Sequence, residues 1–250
     1  MGSETSAPLP PPPPAPNAAP ASATPAPSLT APAPSGNISF TLPQAEQTDL
    51  PAVPAVVSAA PFTPSDLFAG DSDSLVAKAV GSAEGTRTSD GGYTWAYRGH
   101  VDPGNGAWNL GSFSYQHGAN SPQEADRRQL ARLRTQAQTL HQQADRYAMT
   151  LTLAETLNGI DLANQSPRAA LSRGGYIDRL HQAHEMGLQG ADAILWGRTR
   201  AFLDPDTSRW NAPGLGNNVH SITADQDRRR RAIEQAMARM EVRSQPQVSP

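Results

Sequence analysis

From Ser121 onward, Leu130, Leu133, Ala137, Leu140, Ala144 and Tyr147 recur at alternating steps of three and four residues. That is the period of an amphipathic α-helix of about seven turns. Ser121-Pro122-Gln123-Glu124 supplies its start, a capping box with proline at the first helical position. The pattern occurs once and uses alanine at several apolar positions, which points to packing within the chain rather than to a coiled coil. A stripe of this length needs other helices to cover it.

Candidates follow. Leu151 to Gln165 reads as a helix ended near Pro167, and Arg173-Gly174-Gly175 is a break. Tyr176 to Met186 is a helix closed by Gly187, and Ala191 to Phe202 is another, ended by Asp204-Pro205. Trp210 to Asn218 reads as a loop. Thr223 to Met240 is a terminal helix capped by Thr223. Its Arg228 to Arg231 span all sides of one turn, which suits solvated or paired charges better than a nucleic-acid patch. Earlier, Asp73 to Ala83 forms a short helix capped by Asp71, Ser72 or Asp73, with Leu75, Val76, Ala79 and Val80 on its apolar face. Gly85 sits where a helix end needs a left-handed residue. No internal repeat is visible.

The first Lys or Arg is Lys78, and most of the 24 prolines precede Ser65. Residues 1–64, with the run Pro10 to Pro14, therefore read as a disordered Pro/Ala/Ser-rich linker with polyproline II character. Asn37 to Leu42 is one short strand candidate within it. Residues 65–243 read as one domain, large enough for a real core, and residues 244–250 as a disordered tail. The net charge of −3 gives no global basic field, so nucleic acid is not expected as a partner. With no Cys, the chain has no disulfide, thiolate zinc site or cysteine nucleophile. No apolar run is long enough for a membrane span. MGSETSAPLP lacks the basic and apolar regions of a signal peptide. P-loop, Gly-x-Ser-x-Gly and dinucleotide fingerprints are missing.

The chemistry concentrates between Ser82 and Gln116. Glu84 falls in the last turn of the first helix, where the dipole disfavours a charged carboxylate, so a raised pKa is expected there. Asp90-Gly91-Gly92 is a turn, and Tyr93 to Tyr97 reads as a strand leaving it, with Tyr93, Trp95 and Tyr97 on one face. His100 to Asn109 reads as a loop, and Phe113 to Gln116 as a short strand or a helix start. A glycosidase of the usual kind needs one carboxyl group that holds a proton and one that stays charged. Glu84 suits the first role. Asp90, beside glycine amides that favour the ionised form, suits the second. The hydroxyl of Thr94 is placed to hold a water. Tyr93, Trp95, Tyr97 and Trp108 offer ring faces for sugars. Asp161, Asn164 and Gln165 form a polar set suited to sugar hydroxyls. His100, Asp102 and Asn105 lack the carboxylates of a Ca²⁺ site and the second His of a zinc site, so no metal or other cofactor is assigned.

The order Ala83-Glu84, Asp90-Gly91-Gly92-Tyr93-Thr94, Gly99-His100 resembles the lysozyme-like superfamily. Phage-type lysozymes carry a catalytic Glu at the end of a first helix, then an Asp and a Thr on a small hairpin with a Gly-His at its end. Bacterial chitosanases are similar, with a Ser-Ala-Glu helix end and an Asp-Gly-x-Gly-Tyr-Thr hairpin. Gly111 to Gln116 faintly resembles the Gly-x-x-Gln region of soluble lytic transglycosylases, which use a single Glu. Glu84 and Asp90 are closer in sequence here than in either relative. The resemblance implies a mainly α (α+β) fold, a helical domain with a small β-hairpin beside an active-site cleft. It implies hydrolysis of a β-1,4-linked amino-sugar polymer, peptidoglycan before chitosan, with Glu84 as acid and an Asp90/Thr94-held water giving inversion. Substrate contacts are expected from Tyr93, Tyr97, His100, Trp108, Tyr115, Gln116, Asn164 and Gln165. A monomer acting in the periplasm, in the cell wall or after secretion is expected from that substrate. The competing expectations are a non-enzymatic helical binding or scaffold module, and a lysozyme-like protein that binds glycan without cutting it.

Overall fold

The computed structural model describes residues 66–102 and 104–244. The Pro-rich arm, the Asn37 to Leu42 strand candidate and the last six residues of the tail lie outside them. The described residues are mainly helical with one small antiparallel sheet. Seven α-helices are present among them: α1 (Leu75–Glu84), α2 (Pro122–Asp145), α3 (Leu153–Gln165), α4 (Pro167–Leu171), α5 (Tyr176–Glu185), α6 (Gly190–Arg200) and α7 (Val219–Ser244). None is long and apolar enough to cross a membrane.

The central element is α3, which packs against each of the other six helices. Its start is fixed by Thr152 and Glu155. The Thr152 Oγ1 accepts from the Glu155 amide, and the Glu155 carboxylate accepts from the Thr152 amide. Gly159 lies where a Cβ would stand 3.0 Å from both Leu140 of α2 and Tyr176 of α5. A larger residue there would force the Leu140 and Tyr176 side chains to give way.

The stripe on α2 is buried as its period requires, at Leu130, Leu133, Ala137, Leu140 and Ala144. Ser121 accepts from the Glu124 amide at its N-terminus, but Glu124 answers to Asn120 instead of Ser121. Tyr147 departs from the stripe. The helix ends at Asp145, and the Tyr147 ring stacks on His181 at the surface while its hydroxyl donates to Asp178.

Other boundaries moved for local reasons. Ser74, rather than Asp71, Ser72 or Asp73, caps α1 by accepting from the Ala77 amide. Pro167 opens the short α4 instead of only closing α3, because Ser166 caps it. The last helix begins four residues before Thr223, with the Asn218 side chain accepting from the Ser221 amide.

The strand pairing sits further along the chain than expected. Tyr93 makes only an isolated bridge to Arg87, and Trp95–Arg98 is a 3-10 helix. The sheet instead joins β1 (His100–Val101) to β2 (Trp108–Asn109), inside the segment read as loop. Two features explain this. The Tyr93 and Tyr97 rings meet with centroids 4.0 Å apart, an i to i+4 contact that an extended strand cannot make. Asp102 then turns the chain, accepting from the amides of Gly104 and Asn105. Gly99, at φ +134°, lets the Trp108 ring lie on the backbone, where an added Cβ would stand 2.2 Å from it.

Gly99→Ala is therefore expected to cost about 1–3 kcal/mol of stability through backbone strain. It should also dislodge Trp108, read as a shift in tryptophan emission alongside the lowered melting temperature.

Candidate functional site

Glu84 ends α1, and Gly85 follows in the left-handed conformation at φ 75°. The chain then turns through Thr86 to Thr94 and returns. Thr94 donates its hydroxyl to the Gly85 carbonyl at 2.8 Å, and its amide donates to Thr86. Thr94 is thus held beside the helix end that carries Glu84.

Asp90 is carried the other way. The turn runs back along α1, so that Gly91 abuts the Lys78 side chain. Lys78 lies six residues before Glu84, about 9 Å along the helix axis. Arg87 fixes this course, donating to the carbonyls of Gly91 and Ser72. Asp90 is exposed and accepts from the Thr88 hydroxyl. Arg87 thus ties the turn that carries Asp90 to the segment just before α1.

Glu84 is met by side chains from two other helices. Asn164, one residue before the end of α3, donates its amide to Glu84 Oε1 at 2.9 Å and to the Phe113 carbonyl at 3.3 Å. Arg229 of α7 also donates to Oε1. Oε2 has no hydrogen-bond partner among the described residues, and 14% of the side chain remains exposed. The Asn164 amide is oriented by Gln129 of α2, which donates to its Oδ1 at 2.7 Å.

Arg229 is held from behind. It donates to both oxygens of Asp161, at 2.9 and 2.8 Å, and Arg198 of α6 donates to the same carboxylate at 2.6 Å. Asp161 and Arg198 are fully buried. Burial alone would push the Asp161 carboxyl up, but Arg229 and Arg198 hold it below the usual carboxylate range. Asp161 and Glu84 together overcome the burial of Arg229 and keep it charged. Arg198 completes its bonds on Asn158 and Gln226.

This arrangement corrects the polar set on α3. Asp161 is a buried anchor for two guanidinia and is closed to sugar hydroxyls. Gln165 is bonded to Asp225 and Gln226. Asn164 alone of the three reaches the candidate acid. Glu84 also meets a cation that the helix-end argument did not contain. Arg229 was hidden in sequence among four consecutive arginines, and only its place on α7 separates it from its neighbours. Arg230 and Arg231 pair with Asp227, and Arg228 with Asp225.

The aromatic residues divide. Tyr97 is buried, burial raises its phenol pKa, and its ring is covered by Tyr93, so it offers no face to a sugar. Tyr93 is half exposed with Arg87 stacked on it at 4.3 Å. Trp95 at 78% and Trp108 at 57% exposure are the open rings. His100 is fixed by the Ala96 carbonyl, 3.1 Å from Nδ1, and meets the Trp95 ring edge-on. Tyr115 is half-buried against His117, while the exposed Gln116 accepts from Asn105. Among the described residues, no hydrogen bond or ion pair joins Tyr115 or Gln116 to Glu84. Among the described residues, no group of three His, Asp or Glu could hold a metal ion.

Comparison with protein-family models, curated proteins and solved structures yields no match.

Breaking a buried charge network from one side leaves unpaired charge in the core. Asp161→Asn is expected to cost about 3–5 kcal/mol at neutral pH, measured by urea unfolding. Because the folded Asp161 pKa is depressed, its contribution is present above the unfolded value near about pH 4 and is lost as pH falls through the folded value. The parent should therefore lose stability below about pH 4 more steeply than Asp161→Asn does.

Proposed function

We propose that the chain is a lysozyme-like glycosidase that cuts β-1,4 bonds in an amino-sugar polymer, peptidoglycan before chitosan, with Glu84 as the proton donor. The observation that carries this reading is the asymmetry of the Glu84 carboxyl. Oε1 is anchored by Asn164 and Arg229, while Oε2 is left to the solvent. An acid fixed through one oxygen can present the other in a set direction.

Acting as the acid, Glu84 delivers a proton from Oε2 to the glycosidic oxygen as the bond from that oxygen to the anomeric carbon breaks. A water then adds to the anomeric carbon and returns a proton to Glu84. Thr94 is available to place that water, since its hydroxyl hydrogen is directed to Gly85 and its oxygen remains an acceptor. Arg229 stays paired with Asp161 throughout, so loss of the negative charge on Glu84 does not leave a lone buried cation. Trp95 and Trp108 supply open rings for the polymer.

Asp90 has no assigned step in this proposal, because the turn leads it toward Lys78. The inverting route built on an Asp90-held water is set aside, and hydrolysis proceeds with Glu84 and a water placed by Thr94. Action on cell walls implies a site outside the cytoplasm.

Glu84→Gln keeps the shape and removes the acid. It should slow clearing of purified bacterial cell walls by about 10²–10⁴-fold, whereas Asp90→Asn should retain most of the parent rate. Equal clearing by parent and Glu84→Gln would refute the assignment. Trp108→Ala is expected to raise KM with a smaller effect on kcat, measured on solubilised wall fragments.

A further inference from the structure

Four side chains form a hydrogen-bonded line that ends on Glu84. The exposed Arg132 of α2 donates to Gln129 Oε1 at 3.3 Å. Gln129 Nε2 donates to Asn164 Oδ1 at 2.7 Å, and Asn164 Nδ2 donates to Glu84 Oε1 at 2.9 Å. A guanidinium only donates, and an ionised carboxylate only accepts. Each carboxamide between them has one oxygen and one NH2 group, so the two ends of the line fix which way both amides face. The Phe113 carbonyl, 3.3 Å from Asn164 Nδ2, demands the same orientation. Gln129 is buried, so little water competes for its amide.

We infer that Gln129 is a positioning residue that decides which oxygen of Glu84 carries the acid proton. The inference rests on the glycosidase reading for its role in catalysis, and adds to it the control of the proton's place. While Asn164 presents Nδ2, Oε1 meets two donors, the second being Arg229, and Oε2 is left for the proton. With Asn164 turned over, its Oδ1 would face Oε1 and accept a proton held there instead. A proton so held is lost to the glycosidic oxygen. Turning Asn164 over would also set its Oδ1 against the Phe113 carbonyl and its NH2 against the NH2 of Gln129. Gln129 is kept from following, since its own turning would put its NH2 against the Arg132 guanidinium.

The other charged groups around Glu84 leave this choice to the amides. Arg229 donates in either orientation of Asn164 and stays paired with Asp161, which Arg198 also holds. Arg228 donates to the Ala83 carbonyl and pairs with Asp225.

The test follows the Glu84 carboxyl by carbon-13 NMR through a pH titration of the full chain, with the signal assigned by its loss in Glu84→Gln. Gln129→Met keeps the side-chain length and removes both polar groups. Asn164 is then free to turn over when Glu84 takes a proton, so the protonated form gains a hydrogen bond. Gln129→Glu offers Asn164 only acceptors and forces the same turn, with Arg132 at hand to balance the new charge. Both variants should bind a proton at Glu84 about tenfold more tightly than the parent, the worth of one hydrogen bond. On cell-wall fragments, kcat should fall about tenfold with KM little changed. Arg132→Ala, at an exposed position, releases Gln129 and should shift the titration the same way by about two- to threefold. A thermal melt checks that each variant is folded. An unchanged Glu84 titration in Gln129→Met would overturn the inference, as would a shift in Gln129→Glu alone, which its added charge explains. If neither Gln129 variant folds, Arg132→Ala decides, and an unmoved titration there overturns the inference. Walls left intact by the parent would refute the glycosidase reading, and the titration would still judge the amide line.

Discussion

The carboxylate of Asp161 is the fixed point of this molecule. It sits without solvent exposure on the central helix α3 and takes hydrogen bonds from Arg198 of α6 and Arg229 of α7. Arg229 then reaches Glu84 at the end of α1. One buried anion thus ties four helices together. Each charge in the core depends on the others, because removing one leaves its partners desolvated and unpaired. The same ties that fix the packing also fix Glu84, the partly exposed carboxyl of this network.

A second clamp reaches Glu84 through Asn164. Asp126 of α2, also buried, accepts from the amide and hydroxyl of Ser112 at 2.6 and 2.8 Å. Arg87 donates to the same Ser112 hydroxyl at 2.8 Å. Burial pushes the Asp126 carboxyl up against these bonds. The backbone so fixed presents the Phe113 carbonyl to Asn164, which in turn holds Glu84. The candidate acid therefore stands between two networks, each built on a buried carboxylate and an arginine.

Local signals in the sequence carried much of this. The α2 stripe, the Ser121 start, Gly85 in the left-handed conformation and Glu84 in the last turn of α1 all depend on residues within a turn or two of one another, and periodicity reports them directly. The Tyr93 to Tyr97 stretch shows the limit. Its alternating pattern also fits a 3-10 turn in which rings four residues apart meet, and the choice is made by Gly99, Trp108 and Arg87, none of which lies within that stretch. Arg229 could not be separated from Arg228, Arg230 and Arg231 without knowing which face of α7 meets α1. Asp161 looked like a polar helix-end residue for the same reason: its two partners lie 37 and 68 residues away.

The central claim is that a carboxyl held in this way breaks glycosidic bonds. Mass analysis of the fragments that the full chain releases from purified bacterial cell walls tests it most directly. The account predicts soluble sugar fragments with new free reducing ends, each bond cut having taken up one water. Walls left intact, with no reducing sugar formed by protein that a thermal melt shows to be folded, would contradict it.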